Sequence, residues 1–172
     1  RQAIRQGICL LTEDRKSQGL VLKHSALENF ALPNLDAFSR WSCISSQQEQ
    51  SQFEKHRRNL RIRVATPKQK AGTLSGGNQQ KVVLAKWLEA DSQVIIFDEP
   101  TRGIDVGAKY DIYLLINELA SRGKAIVIIS SELPEILGMS DRILVMHEGR
   151  VTGEITDVEH ATQDQVMSLA IQ

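Results

Sequence analysis

Hydrophobic and polar positions along the chain follow two periods. Ile8-Cys9-Leu10-Leu11, Val94-Ile95-Ile96-Phe97 and Ala125-Ile126-Val127-Ile128-Ile129 are short apolar runs bounded by polar or turn residues, the pattern of buried strands. Elsewhere apolar residues recur at helical spacing. Ser25 with Glu28 three residues on is a capping-box arrangement, opening a helix that carries Leu27, Phe30 and Ala31 and that Pro33 is expected to stop. Residues 47–60 are polar, lack β-branched side chains and have Arg57, Arg58, Arg61 and Arg63 near their end, which predicts an exposed helix with a basic terminus. Residues 79–90 predict a helix with Val83, Leu84, Trp87 and Leu88 on one apolar face, Trp87 in the core, and Lys81, Lys86 and Glu89 elsewhere. Asp105 is expected to cap a helix whose Ile112, Leu115, Ile116 and Leu119 fall on one stripe, with Gly123 past its end. A short helix over 132–137, strands over 142–146 and 150–155 joined by Glu148-Gly149, and a helix over 162–170 complete the pattern. Residues 12–19, 36–46 and 65–73 read as polar connections. Strands alternating with helices predict an α/β fold on a parallel sheet. Within one domain, two parts are expected: a helical, irregular part over about 21–92, and an α/β part over 93–172.

Composition narrows the partners. At 172 residues, 41% of them hydrophobic, the chain can bury a sizeable core and is expected to fold. Twenty-one basic residues balance 21 acidic ones, so no global field holds nucleic acid or an anionic membrane. The basic residues near 57–63 lack interleaved aromatics and read as a solvated helix end, so no nucleic-acid partner is expected. No apolar run approaches the ~20 residues that span a bilayer, so membrane association is expected to be peripheral. Cys9 and Cys43 have neither metal-ligand nor paired spacing and read as small apolar fillers. The chain opens on Arg1 and runs within a few residues into its first strand, which reads as a piece of something longer.

Two stretches carry chemistry. In Leu74-Ser75-Gly76-Gly77-Asn78-Gln79-Gln80-Lys81, glycines open a helical pattern, so unpaired N–H groups and the positive end of a helix dipole meet beside a hydroxyl, as an anion site requires. One helix-length later, Val94-Ile95-Ile96-Phe97-Asp98-Glu99-Pro100-Thr101 delivers two adjacent carboxylates to the end of a strand, as a metal and water site requires. Ser-Gly-Gly alone is an ordinary helix start, and a single acid is an ordinary strand end; the two stretches in this order change that weighting. Gly72 to Gly77 satisfies the first half of a phosphate-loop pattern, but Asn78 and Gln79 stand where Lys and Ser/Thr must reach phosphates and metal, so it is not one.

On these residues the chain resembles the ATP-binding-cassette (ABC) ATPases, with Leu74 to Gln80 similar to their signature motif and Val94 to Glu99 to their Walker B strand. The resemblance implies an ABC-type domain fragment with a parallel RecA-like sheet and a helical subdomain, its phosphate-loop portion missing. It implies ATP and Mg²⁺ as cofactors. Ser75, Gly76, Gly77, Asn78 and Gln79 would contact the γ-phosphate of an ATP held by an opposite half; Asp98 would hold Mg²⁺, through water; Glu99 would be the catalytic residue that orients or deprotonates the attacking water. Gly103, Ile104 and Asp105 resemble the loop through which two ABC halves sense each other, although Asp105 needs only its capping role.

Two positions depart from the general pattern. Glu13 stands at the glutamine of the loop linking metal to transport partner, and Ser131 at the histidine that contacts the γ-phosphate. A serine cannot replace an imidazole as a long-reach or charged donor. These departures, with Thr12 to Lys16, Glu99 to Ala108 and Ser130 to Glu135, resemble the second nucleotide-binding half of bacterial sugar importers of the ribose, galactose and arabinose type. That resemblance implies membrane permease subunits contacting residues 14–60, a phosphate-loop-bearing nucleotide-binding half, an indirect periplasmic solute-binding partner and a site at the cytoplasmic face of the inner membrane. Alone, the chain is expected to bind ATP weakly. A truncated, silent remnant and a soluble non-transport ABC ATPase are the competing readings.

Overall fold

The structure is a computed structural model describing residues 2–40 and 43–171. Trp41 and Ser42, within the stretch expected to be a connection, lie outside the described residues. Contacts divide the chain into two compact units, Arg1–Val127 and Ile128–Gln172, the division falling inside a strand.

In the first unit a short helical turn, α1 (Gln2–Arg5), leads through Gly7 into β1 (Ile8–Leu11). β1 pairs in parallel with β4 (Val94–Asp98), Cys9 opposite Ile95 and Leu11 opposite Phe97. Those four side chains are buried, whereas Leu10 between them is 44% exposed. β5 (Ala125–Ile129) extends the sheet in the order β1-β4-β5. It was expected to be buried, yet Val127 is 46% exposed, because β5 is an edge strand with one face uncovered among the described residues.

The helical part is held by aromatic rings. α2 (Ala26–Ala31) starts at the expected capping box, Ser25 and Glu28 bonding reciprocally. Pro33 does not stop the helical run: it sits in the first turn of a 3₁₀ segment, Leu32–Asn34, where its missing N–H is not needed, and α3 (Leu35–Phe38) follows. Two-residue strands β2 (Ser39–Arg40) and β3 (Cys43–Ile44) pair antiparallel, leaving Cys43 exposed and not a filler. α4 (Ser46–Asn59) is polar as expected except at Phe53, fully buried with its ring centroid 5.5 Å from that of Phe30, which also packs on Phe38. Burying each such ring contributes about 1.5–3 kcal/mol. α5 (Gly76–Glu89) passes beneath, with Val82, Val83, Leu84 and Ala85 all buried. Trp87, expected in the core, is half-buried with the Lys86 ammonium 5.1 Å from its ring centroid. α6 (Val106–Ser121) buries the expected stripe Ile112, Leu115, Ile116 and Leu119, and Gly123 follows at φ +82°.

The second unit holds α7 (Leu133–Met139), β6 (Ile143–His147), β7 (Arg150–Ile155) and α8 (Gln163–Ala170). β6 and β7 were expected as strands joined by the Glu148-Gly149 turn; they pair antiparallel with each other, as that tight turn requires, in a two-stranded sheet of their own. Ile143, Val145 and Val166 form its core, with Ile136 and Leu169 packed against them.

Candidate functional site

Parallel register brings the carboxyl ends of β1 and β4 side by side, so the segment after Leu11 and the acids after Phe97 emerge at one edge of the sheet. Asp98 ends β4 and is half-buried. Glu99 follows at φ +48°, a left-handed conformation that costs a non-glycine residue about 1–3 kcal/mol and is held only where surrounding structure imposes it. The chain turns again at Gly103, φ +67°, and Asp105 caps α6 by accepting from the Ala108 N–H at 3.0 Å.

The segment after β1 was expected to be an open polar loop. Instead Asp14 accepts from the N–H groups of Lys16 and Ser17 and from the Ser17 hydroxyl at 2.6 Å, starting one wide π-type turn, Arg15–Gly19. The Ser17 hydroxyl bond holds the Asp14 carboxyl below its ordinary range. Glu13 accepts a hydrogen bond from Arg102, and Arg15 donates to the Arg102 carbonyl at 3.4 Å, so the turn is tied to the loop after the acids. The turn's far end lies on α5: a Cβ at Gly19 would meet Val83 at 3.3 Å, and the Lys86 ammonium donates to the Gly19 carbonyl.

The N-terminal end of α5 faces that same loop. Ser75 precedes the helix without capping it; its Oγ accepts from Asn78 Nδ2 at 2.9 Å, while Asn78 Oδ1 accepts from the Arg63 N–H at 2.7 Å. The first N–H groups of a helix have no intrahelical acceptor, so this end presents donors and positive potential. A side chain at Gly77 would press on Ala108 of α6, at 3.1 Å, so glycine lets the two helix starts approach. Between them lies a cleft of about 380 Å³ lined by Ser75, Gly77, Asn78, Asp105 and Ala108 together with Arg61, Arg63, Lys81 and Asp111. Gln79 turns inward, buried, its amide donating to the Ala71 carbonyl at 3.1 Å.

The last four cleft residues were not singled out as site residues by sequence reasoning. Arg61 and Arg63 were read as a solvated helix end and Lys81 as lying off the apolar face. Lys81 instead donates to Asp111 at 2.8 Å, clamping α5 to α6 and holding the Asp111 carboxyl below its ordinary range, an effect to which Arg61 and Arg63 add. The signal available was the short spacing from Arg63 to the Ser75 helix start. Ser131 is exposed at the bend between β5 and α7, in the second unit.

The ABC transporter family matches residues 1–102, more than half the chain. The chain belongs to the ABC transporter family. It is 53% identical over 170 residues to the ribose import ATP-binding protein of Bacillus subtilis, covering 99% of this chain and 34% of that protein. It is 54% identical over 168 residues to the xylose import ATP-binding protein of Thermoanaerobacter pseudethanolicus, covering 98% and 33%. The chain thus spans about a third of the length of these relatives. Among solved structures, an ATP-binding cassette of an ABC transporter in twinned crystals superposes with a TM-score of 0.77 at 22% identity, covering 98% of this chain and 70% of that one. A dimeric cassette in a post-hydrolysis state bound to ADP and Pi gives 0.71 at 24%, covering 86% and 62%. These likenesses establish the ABC ATPase fold expected from the sequence.

Proposed function

We propose that this ABC family chain is the signature-bearing and acid-bearing portion of the ATP-binding subunit of a bacterial carbohydrate importer, hydrolysing ATP jointly with a phosphate-loop-bearing nucleotide-binding half. The observation that carries this reading is the common border of two elements: the start of α5 and the loop after Asp98-Glu99 meet at one cleft, a Cβ at Gly76 lying 3.7 Å from the Gly103 carbonyl. The relatives' names, ribose and xylose import ATP-binding proteins, support the substrate class. Leu10 and Val127, left half bare on the sheet, support the packing of a further segment against it.

In this reading the N–H groups at Ser75, Gly76 and Gly77 receive phosphate oxygens of an ATP held by the other half, with Asn78 fixing the helix start through its bonds to Ser75 and Arg63. Mg²⁺ keeps waters and takes phosphate oxygens, needing only one or two protein carboxylates. Asp98, at the end of β4, would hold it through water. When bound, Mg²⁺ offsets phosphate charge. Glu99, following the strand at the sheet edge, orients or deprotonates the attacking water. Permease subunits receive the resulting movement through residues 14–60 at the cytoplasmic face of the membrane, and a periplasmic solute-binding protein delivers sugar to them. No helix among the described residues is long and apolar enough to cross a membrane.

Steady-state ATPase rates test the reading in a chain extended to its relatives' length. Ser75→Arg fills the anion site and should abolish most hydrolysis, whereas Glu99→Gln should cost much less than the same change in the partner half, since position 131 carries a serine where the family resemblance expects the γ-phosphate histidine. If Glu99→Gln is the more damaging of the two, the assignment of a weak own site is wrong; if neither lowers the rate, the ATPase reading fails.

A further inference from the structure

The π-type turn after β1 is docked at two points along α5. Gly19 packs on Val83 and accepts from Lys86, while at the other end the Arg15 guanidinium occupies the space a side chain at Gly76 would need, Nη2 lying 3.0 Å from an added Cβ. The same guanidinium approaches a Cβ position at Gly103 to 4.0 Å and donates to the Arg102 carbonyl. Arg15 is half-buried, its Nε enclosed without a hydrogen-bond partner, so the group is held by shape and by its other donors. The neighbouring Glu13–Arg102 pair closes a ring from the turn to the loop and back.

We propose that Arg15 is a positioning residue: wedged between Gly76 and the Arg102 carbonyl, it sets the spacing of the turn after β1, the loop Gly103 to Asp105 and the phosphate-facing start of α5. A displacement of the turn is thereby carried to the N–H groups of Gly76 and Gly77. Its relevance to hydrolysis rests on the function proposed above, but its geometry does not. A planar, rigid guanidinium serves here because it can fill a slot and donate in its own plane at once, which a lysine ammonium does less well.

Amide hydrogen exchange on the full chain, without nucleotide, tests the proposal. Arg15→Ala should speed exchange roughly tenfold, the factor one hydrogen bond carries, at Gln79 and Ile104, whose N–H groups bond to the Ser75 and Thr101 carbonyls, with the β4 amides unchanged. Arg15→Lys should restore part of the protection. Gly76→Ala, whose Cβ displaces Nη2, should speed exchange at Ile104 in the same way, and should add less than about twofold in the Arg15→Ala background, since contacting residues are non-additive. Additive effects of the two changes, a uniform rise over all amides, or a rise confined to residues 15–19 would each overturn the wedge. Because no measurement involves ATP, failure here and failure of the ATPase test are separate results.

Discussion

The Lys81–Asp111 pair that floors the cleft is unequal, and the inequality predicts which half is costlier to remove. Lys81's side chain is only 10% exposed, whereas that of Asp111 is 41% exposed, at an N–O distance of 2.8 Å. Asp111→Asn leaves an ammonium enclosed among α5 and α6 with its charge unbalanced and Arg61 and Arg63 nearby, and the lost charge-assisted bond is worth about 1.5–3 kcal/mol. Lys81→Met leaves a carboxylate that water can reach, so the loss resembles that of a surface pair, about 0–1 kcal/mol, partly offset by methionine's apolar packing. Asp111→Asn should therefore be the more destabilising by roughly 1–2 kcal/mol, and the double variant should lie close to Lys81→Met. Chemical denaturation of the four proteins at pH 7 reads this directly. The sign with pH follows from the lowered Asp111 pKa: the carboxylate stabilises above its ordinary 3.8 and the contribution is lost as pH falls through the folded value. The gap between the native chain and Asp111→Asn should hold at pH 5 and close below about pH 4. If Lys81→Met is the costlier change, or if the gap already closes between pH 7 and 5, the reading of a buried cation balanced by a hydrated anion is wrong.

Burial lowers the Lys86 pKa to about 8; the unfolded chain then binds more protons between pH 8 and 10.5, so stability should rise with pH across that window, by on the order of 2 kcal/mol, and the rise should be missing in Lys86→Met. Phe53→Ala empties a fully buried ring site beside Phe30 and should cost about 3–5 kcal/mol in a denaturant titration of the first unit, a loss below 1 kcal/mol counting against α4 being anchored there. Gly153→Ala places a Cβ 2.6 Å from Leu169 and should destabilise the second unit by about 1–3 kcal/mol, which thermal unfolding followed at β6–β7 amides would detect; a neutral result would mean Leu169 can move aside. Calorimetric titration of these 172 residues alone with Mg-ATP should show only weak binding, since no stretch supplies a phosphate loop, and micromolar affinity would refute that.

Local energetics were readable from residue order alone. The caps at Ser25 and Asp105 lie where the sequence places them because a cap is decided by a side chain and an N–H three residues away. The inward stripe of α6 and the strands β1 and β4 follow in the same way from period, and the two chemical stretches from their order and spacing. The site's walls were not readable. Arg61 and Arg63 carry the same charges whether solvated or facing the Ser75 helix start, and only the return of the chain over α5 chooses. Glu13 and Arg102 are 89 residues apart, and Lys81 and Asp111 are 30 apart, so neither pair leaves a periodic trace. β6 reads as one more apolar strand; the pairing with β7 depends on the turn between them and on Val166 and Leu169 of α8 covering one face. Sequence determined the longer helices and the strands β1 and β4, because those energies are settled within a few residues, but it read residues 36–46 as a connection where α3 and the short β2–β3 pair form. Tertiary structure decided which charges are buried, which strands pair and what faces the cleft, because those energies depend on neighbours that loop closure alone brings together.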